Sequence, residues 1–207
     1  YLTMNEVDII IDNVKQMLLD RGDNIDEFEE HEVDISRDEF FNDKNIIEFN
    51  SSNHTIIFAL TKKLRRNVLD ELKEFAKTDI LGFIKKYNEK KNVILIFNND
   101  TISAPILQQL TSYDKVLQKN HGHLQYFHIK NLLYNPTKHH LVPKHTKLQI
   151  EEVSELMEKY LIKGKAQMPF ILQTDVVAKW MGLKQGDIVK IDRYNENSGI
   201  SYYYRVC

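Results

Sequence analysis

The run Val93-Ile94-Leu95-Ile96-Phe97 constrains the fold of this chain more than any other stretch. Five consecutive apolar residues offer no polar face to water. As a strand they need cover on both sides, the arrangement of a sheet held between layers. Asn98-Asn99-Asp100 turns the chain away, and the segments on either side alternate between helical and extended patterning. That alternation argues an α/β sandwich for this half of the chain.

Val7, Ile10, Ile11, Val14, Met17 and Leu18 recur at helical spacing over residues 5–21, with Gly22 where a helix-terminating glycine belongs. Residues 23–44 are acidic and read as a loop with a short helix around Arg37–Phe41. Ile46–Phe49 and Thr55–Leu60 flank the turn-type cluster Asn50-Ser51-Ser52-Asn53 and predict a hairpin. A helix is expected over roughly residues 66–87, with a break near Asp79 or Gly82 compatible with its pattern. Pro105–Leu110 begins another short helix, and Leu124–Ile129 and Leu132–Tyr134 read as β-type segments.

Charge is distributed unevenly. The net charge is −2, yet residues 1–50 carry −11, residues 51–137 carry +6 and residues 138–207 carry +3. Such asymmetry marks either interaction faces or plain solvated surface. The one cysteine, Cys207, cannot form an internal disulfide and suits a reducing compartment. No apolar run approaches the roughly 18–20 residues of a membrane span, and nothing before the first helix has the shape of a signal peptide. The first residue is Tyr1 rather than Met, which leaves room for residues before it. Lysine outnumbers arginine, and Asn and Ile are abundant, the bias of an A/T-rich genome.

A nuclease reading and a zinc-site reading compete with a binding role. A metal-dependent nuclease holds a divalent cation with carboxylates and places a lysine beside the attacking water. Glu89-Lys90-Lys91 is the near match, but it precedes the strand Val93–Phe97 instead of lying within it, and Asp100 follows the strand's end. A charged helix-to-strand loop accounts for it better. The histidines His121, His123, His128, His139, His140 and His145 raise zinc, which wants about four converging nitrogen or sulfur ligands. No helix carries histidines at i and i+4, so no metal site and no cofactor is expected.

The last third is differently built. His139-His140-Leu141-Val142-Pro143-Lys144-His145 reads as an extended segment entering a compact unit. Pro143 gives up a backbone donor and biases Val142 away from helix, which places the segment at a sheet edge. Leu148–Leu161 carries a helical stripe (Ile150, Val153, Leu156, Met157, Tyr160, Leu161) opposite four glutamates, with Gln149 as a poor N-cap. Gln167-Met168-Pro169 leads into Phe170-Ile171-Leu172, a short strand. Asp175 is placed to cap Val176–Met181, which Gly182 ends, and Gly186-Asp187 turns into Ile188–Arg193. A loop containing Gly199 then joins Ile200–Val206 in a closing hairpin.

The stretches His139–His145, Gln167-Met168-Pro169, Gly182–Ile191 and Tyr204-Arg205-Val206 occur in one order and spacing that resembles a known family. The chain is similar to the fifth subunit of eukaryotic and large-virus DNA-dependent RNA polymerases and to its archaeal counterpart, which lacks the part corresponding to residues 1–137. The resemblance is dense over residues 138–207. Over residues 1–137 it rests mainly on Val14–Gly22 and the order of elements. Val176 stands where the family commonly has proline, and Asn195 and Asn197 also depart from its pattern. These departures fit a divergent member, viral or otherwise.

The resemblance implies a non-catalytic subunit with two domains. Residues 138–207 form an assembly domain that docks on the largest polymerase subunit. Residues 1–137 form part of the lower jaw beside downstream DNA, on a restriction-endonuclease-like fold without its activity. His139, Leu141, Val142, Pro143, Lys144, His145, Gln167, Pro169, Arg193, Tyr203 and Arg205 are the expected interface residues. An edge strand beside Tyr202, Tyr203, Tyr204 and Arg205 suits docking, since Tyr and Arg are enriched at interface hot spots. Lys62, Lys63, Arg65, Arg66, Lys85 and Lys86 (with Lys90 and Lys91 nearby) are candidates for phosphate attraction without base readout, within the assembled enzyme only. Gly22, Asp175, Gly182, Gly186 and Gly199 are expected to be structural. Neither a membrane nor a second copy of the chain is an expected partner. The location is the nucleus if the enzyme is cellular, or the virion and cytoplasmic factory if viral. A metal-dependent nuclease-like enzyme and a free-standing adaptor that competes for the polymerase are the remaining alternatives.

Overall fold

A computed structural model describes residues 4–34, 46–59, 92–97, 104–119, 122–197 and 199–207. The chain divides into two compact units, Tyr1–Tyr134 and Asn135–Cys207. Both mix helices with sheet, an α+β architecture.

The first unit opens with α1 (Met4–Asp20), whose Val7, Ile10, Ile11, Val14, Met17 and Leu18 are buried at the expected helical spacing. It ends with Gly22 at φ +80°. The Gly22 N–H donates to the Leu19 carbonyl at 2.9 Å and the Asp23 N–H to that of Leu18 at 3.0 Å, satisfying carbonyls the helix leaves open. The acidic stretch expected to be a loop instead forms α2 (Asp26–Asp34). Asn24 Oδ1 accepts the Asp26 N–H at 2.8 Å, and Asp26, Glu27 and Glu29 stand where the helix dipole favours anions. The helix expected around Arg37–Phe41 lies outside the described residues.

β1 (Ile46–Asn50) and β2 (His54–Ala59) form the expected antiparallel hairpin. β3 (Asn92–Phe97) runs parallel to β2, and β4 (His123–His128) runs parallel to β3, in the order β1-β2-β3-β4. Val93 to Phe97 are all buried, so β3 is the covered central strand its composition demands. A parallel pair needs a crossover, and α3 (Ala104–Lys119) lies between β3 and β4. It is longer than the short helix expected from Pro105–Leu110. Phe28 of α2 stacks on Phe49 of β1, with ring centroids 4.4 Å apart. The helix expected over residues 66–87 and the Glu89-Lys90-Lys91 stretch lie outside the described residues.

Leu132–Tyr134 is not a strand. Ile129–Leu132 forms a 3₁₀ turn that buries Ile129 and Leu132 three residues apart, and Asn13 Nδ2 donates to the Leu132 carbonyl at 2.8 Å. A spacing of three with local hydrogen bonds outweighs the β propensity of these residues.

A polar cluster lies where α1 meets the β1–β2 turn. Asp23 accepts from Ser51 Oγ at 2.7 Å and from Asn53 Nδ2 at 3.0 Å. Arg21, partly buried, donates to Gln125 Oε1 on β4 at 2.7 Å and reaches His54 Nε2 at 3.2 Å. A guanidinium only donates, so this His54 nitrogen accepts. Burial, opposed by Asp23, lowers the Arg21 pKa to about 10.

The second unit is a three-stranded antiparallel sheet, β5 (Lys144–Lys147), β6 (Ile188–Asn195) and β7 (Gly199–Val206), with β6 in the centre. Ile188 and Val206 pack with Leu156 of α4 (Ile150–Lys159) and with Met168. Val189 and Ile191, on the opposite face, pack with Ala178 of α5 (Val176–Trp180) and with Ile171 and Leu183. Each face of the central strand therefore has its own core.

Candidate protein interface

The β6–β7 hairpin sets out side chains by alternation. Lys190, Asp192, Tyr202 and Tyr204 share the α4 face, whereas Arg193, Tyr203 and Arg205 share the α5 face. On the first, Lys190 Nζ lies 4.1 Å from the centre of the Tyr202 ring; on the second, the Arg193 guanidinium lies 4.3 Å from that of Tyr203. Each cation thus reaches from β6 across a tyrosine of β7, a favourable cation–aromatic contact. Desolvation raises the Tyr204 pKa above the ordinary tyrosine value.

The expected interface residues divide among three places. His139 to Val142 form a turn, not an extended segment: the Val142 N–H donates to the His139 carbonyl at 2.9 Å and the Leu141 N–H to His139 Nδ1 at 3.2 Å. Asn135 Oδ1 caps the preceding 3₁₀ turn by accepting the Thr137 N–H at 2.9 Å, and this local bonding outweighs the extended bias that Pro143 sets up. Leu141 at its tip is 75 % exposed. Strand pairing begins only after Pro143, at Lys144 opposite Asp192, and His145 Nδ1 lies 2.6 Å from the Pro143 carbonyl. β5 is an edge strand of the sheet.

Pro169 and Arg205 meet at the far edge, with Gln167 in the loop before it. Gln167 Oε1 accepts the Lys163 N–H at 2.8 Å and so closes its own loop. The Pro169 carbonyl accepts the Val206 N–H at 2.9 Å, the Ile171 N–H donates to the Val206 carbonyl at 2.8 Å, and Arg205 donates to the Phe170 carbonyl at 3.1 Å. The expected strand Phe170–Leu172 is therefore a single bridge to Val206. Arg193 and Tyr203 meet directly, as described. His139 and Leu141 belong to a separate patch.

Asp175 Oδ1 accepts from the Val177 and Ala178 N–H groups at 2.9 and 3.2 Å, capping α5. Gly182, Gly186 and Gly199 have φ of +65°, +88° and +74°, as tight turns after α5, before β6 and within the hairpin require. Gln149 begins α4 with its N–H donated to Glu152 Oε2 at 2.8 Å.

Sequence patterning missed two features of this surface. Leu161 ends α4 in the left-handed conformation, φ +53°, and is 85 % exposed. Ile150, assigned to the buried stripe of α4, is 81 % exposed, and only Leu156 of that stripe is buried. Phe170, Leu172, Tyr194, Ile200 and Tyr202 are exposed as well. An α4 stripe wider than the sheet it covers was visible as a surplus of apolar positions; the left-handed leucine carried no sequence signal.

Lys62, Lys63, Arg65, Arg66, Lys85 and Lys86 lie outside the described residues, as does His121. His123 Nδ1 lies 2.8 Å from Asp114 Oδ1, and His128 packs edge-on to Phe97. Among the described residues, no group of three or more His, Cys, Asp or Glu side chains is arranged to hold a metal ion, and no helix is long and apolar enough to cross a membrane.

Residues 134–207 match the family described as RNA polymerase Rpb5, C-terminal domain. The chain is 36% identical over 129 residues to the DNA-directed RNA polymerases I, II, and III subunit rpabc1 of Dictyostelium discoideum, covering 60% of this chain and 64% of that one. It is 41% identical over 83 residues to subunit RPABC1 of Caenorhabditis elegans, covering 40% of this chain and 39% of the relative. It is 47% identical over 73 residues to the DNA-directed RNA polymerase subunit Rpo5 of Pyrococcus horikoshii, covering 35% of this chain and 88% of that one. The match thus takes in most of the archaeal protein and under two thirds of either eukaryotic one.

Proposed function

The chain belongs to the RNA polymerase Rpb5 family that includes the archaeal subunit Rpo5, and from that membership we propose that it is a structural, non-catalytic subunit of a multisubunit DNA-dependent RNA polymerase. The match of residues 134–207 carries the reading. The second unit is its assembly domain and docks on the largest polymerase subunit. A cluster of exposed tyrosines held by arginine and lysine on a small sheet supports this, because such side chains present large contact area at low entropic cost.

The first unit forms part of the lower jaw near downstream DNA, on a restriction-endonuclease-like scaffold without catalysis. Its mixed four-stranded sheet with a parallel centre is compatible with that scaffold. In a cellular enzyme the location is the nucleus; in a viral one it is the virion and the cytoplasmic factory.

Affinity purification of the tagged chain from its source at high salt, with mass spectrometry of what co-elutes, tests the proposal. Stoichiometric recovery with the two largest polymerase subunits is the expected result. Recovery of the chain alone would overturn it in favour of the adaptor.

A further inference from the structure

The two edges of the second unit's sheet are unlike. β5 is four residues long, is preceded by Pro143 and carries Lys144 and Lys147 at its ends. Shortness, proline and lysine are the devices by which sheets discourage pairing at an edge. β7 has none of them. It runs for eight residues, Gly-Ile-Ser-Tyr-Tyr-Tyr-Arg-Val, of which Ile, the three tyrosines and Val are enriched in strands.

The hydrogen bonds fix which of its backbone groups face outward. Val206 uses its N–H and carbonyl on the outer side, with Pro169 and Ile171. Residues of the same parity, Tyr204, Tyr202 and Ile200, therefore turn their N–H and carbonyl groups outward too, while Ser201, Tyr203 and Arg205 bond to β6. Among the described residues, nothing but the Phe170 bridge at Val206 pairs with that outer side. Three residues thus present donors and acceptors in a row, flanked by exposed Ile200, Tyr202 and Tyr203.

Charge selects the occupant. Lys190 lies over Tyr202 on one face, with Asp192 Oδ1 3.8 Å from its Nζ sharing part of its charge, and Arg193 lies over Tyr203 on the other, so a cation flanks this edge on each side. A second copy would bring the same cations with it. A strand bearing carboxylates on both faces would complement them. We propose that the open edge of β7, from Ile200 to Tyr204, is a strand-addition site for an extended, acidic segment of a partner polypeptide, held by backbone pairing to Ile200, Tyr202 and Tyr204 and by Lys190 and Arg193. This deepens the docking reading above and rests on it for the partner's identity.

Residue-resolved amide exchange by NMR on the full chain tests the site. The probe is a short synthetic peptide of valines interspersed with Asp-Glu pairs, compared with the same peptide bearing lysines in place of the acids. The acidic peptide is expected to slow exchange at Ile200, Tyr202 and Tyr204 on the order of tenfold, leaving Ser201, Tyr203 and Arg205 unchanged. Tyr202→Pro removes one outward N–H without touching the β6–β7 ladder and should abolish the effect. The paired change Lys190→Glu and Arg193→Glu, which spares the edge backbone, should transfer protection to the lysine peptide. It keeps the test decisive if the proline variant does not fold.

Protection by neither peptide, or equally by both, would overturn the proposal. So would protection that grows with concentration of the chain alone, which would assign the edge to a second copy. If the chain is recovered with polymerase but the outward amides exchange as fast there as in the free chain, strand pairing fails and docking stands. Peptide protection without polymerase recovery keeps the strand site and removes the docking reading.

Discussion

Nδ1 of His54 lies 2.6 Å from Oδ2 of Asp23, tying the hairpin turn of the first unit to the end of α1. Burial by itself would raise the carboxyl's pKa. Hydrogen bonds from His54, Ser51 and Asn53 outweigh it and hold the group at about 2, below the ordinary 3.8. A depressed carboxyl stabilises the fold above its unfolded pKa and loses that contribution as pH falls through the folded one. Asp23→Asn is therefore expected to cost about 2 kcal/mol at neutral pH. The gap from wild type should close between about pH 4 and pH 2. Urea unfolding of both proteins across that range checks it; a gap independent of pH would refute the assignment.

Leu161 should be more comfortable as glycine. Its N–H donates to Glu158 at 3.1 Å and the following Ile162 N–H to Met157 at 2.8 Å, the pairing that places a left-handed residue after a helix. A leucine there is strained, and its side chain is exposed. Leu161→Gly is expected to raise the stability of the isolated chain by about 0.5–1 kcal/mol, net of glycine's greater unfolded entropy. Recovery with polymerase should fall if the leucine is part of the docking surface. Thermal unfolding and co-purification, run side by side, separate the two effects.

Two glycines should respond oppositely to alanine. Gly22 is left-handed, and an added Cβ would meet nothing within 4 Å, so Gly22→Ala pays only backbone strain, about 1 kcal/mol. Gly164 is extended, φ −167°, with the same open surroundings. Gly164→Ala should stabilise by about 0.5 kcal/mol through the unfolded chain. Chemical denaturation of both variants decides; like signs would contradict the backbone argument.

The cap of α5 is open to a similar test. Asp175→Ala leaves the Val177 and Ala178 N–H groups without their acceptor and should cost about 1 kcal/mol, whereas Asp175→Asn should retain most of the stability. Equal losses for the two would mean that charge, not capping geometry, sustains this five-residue helix.

Much of this architecture could be read from residue order. Val93–Phe97 announced a covered strand, Val7 to Leu18 an amphipathic helix, and Asp175 and Gly182 both ends of α5. The errors have separate causes. α2 has a single buried aromatic, Phe28, amid acidic residues, so little periodicity was there to find. His139–Val142 carried an extended bias from Pro143, but bonds within the turn were stronger. The contrast between the two sheet edges was illegible for another reason: which strand is flanked, and by what, is a property of pairing between distant segments. Pro143 drew attention to β5, whereas β7 carries the open row of backbone groups.

Ile188 and Val189 are neighbours in the chain, yet one faces Leu156 and Met168 and the other Ala178 and Leu183. Adjacent codons thus answer to separate neighbourhoods. A lineage can revise the helix on one side of β6 without revising the other, so the two sides are free to diverge at different rates. Substitutions at these two positions should be inherited independently, each travelling with partners far off in sequence and not with the residue beside it.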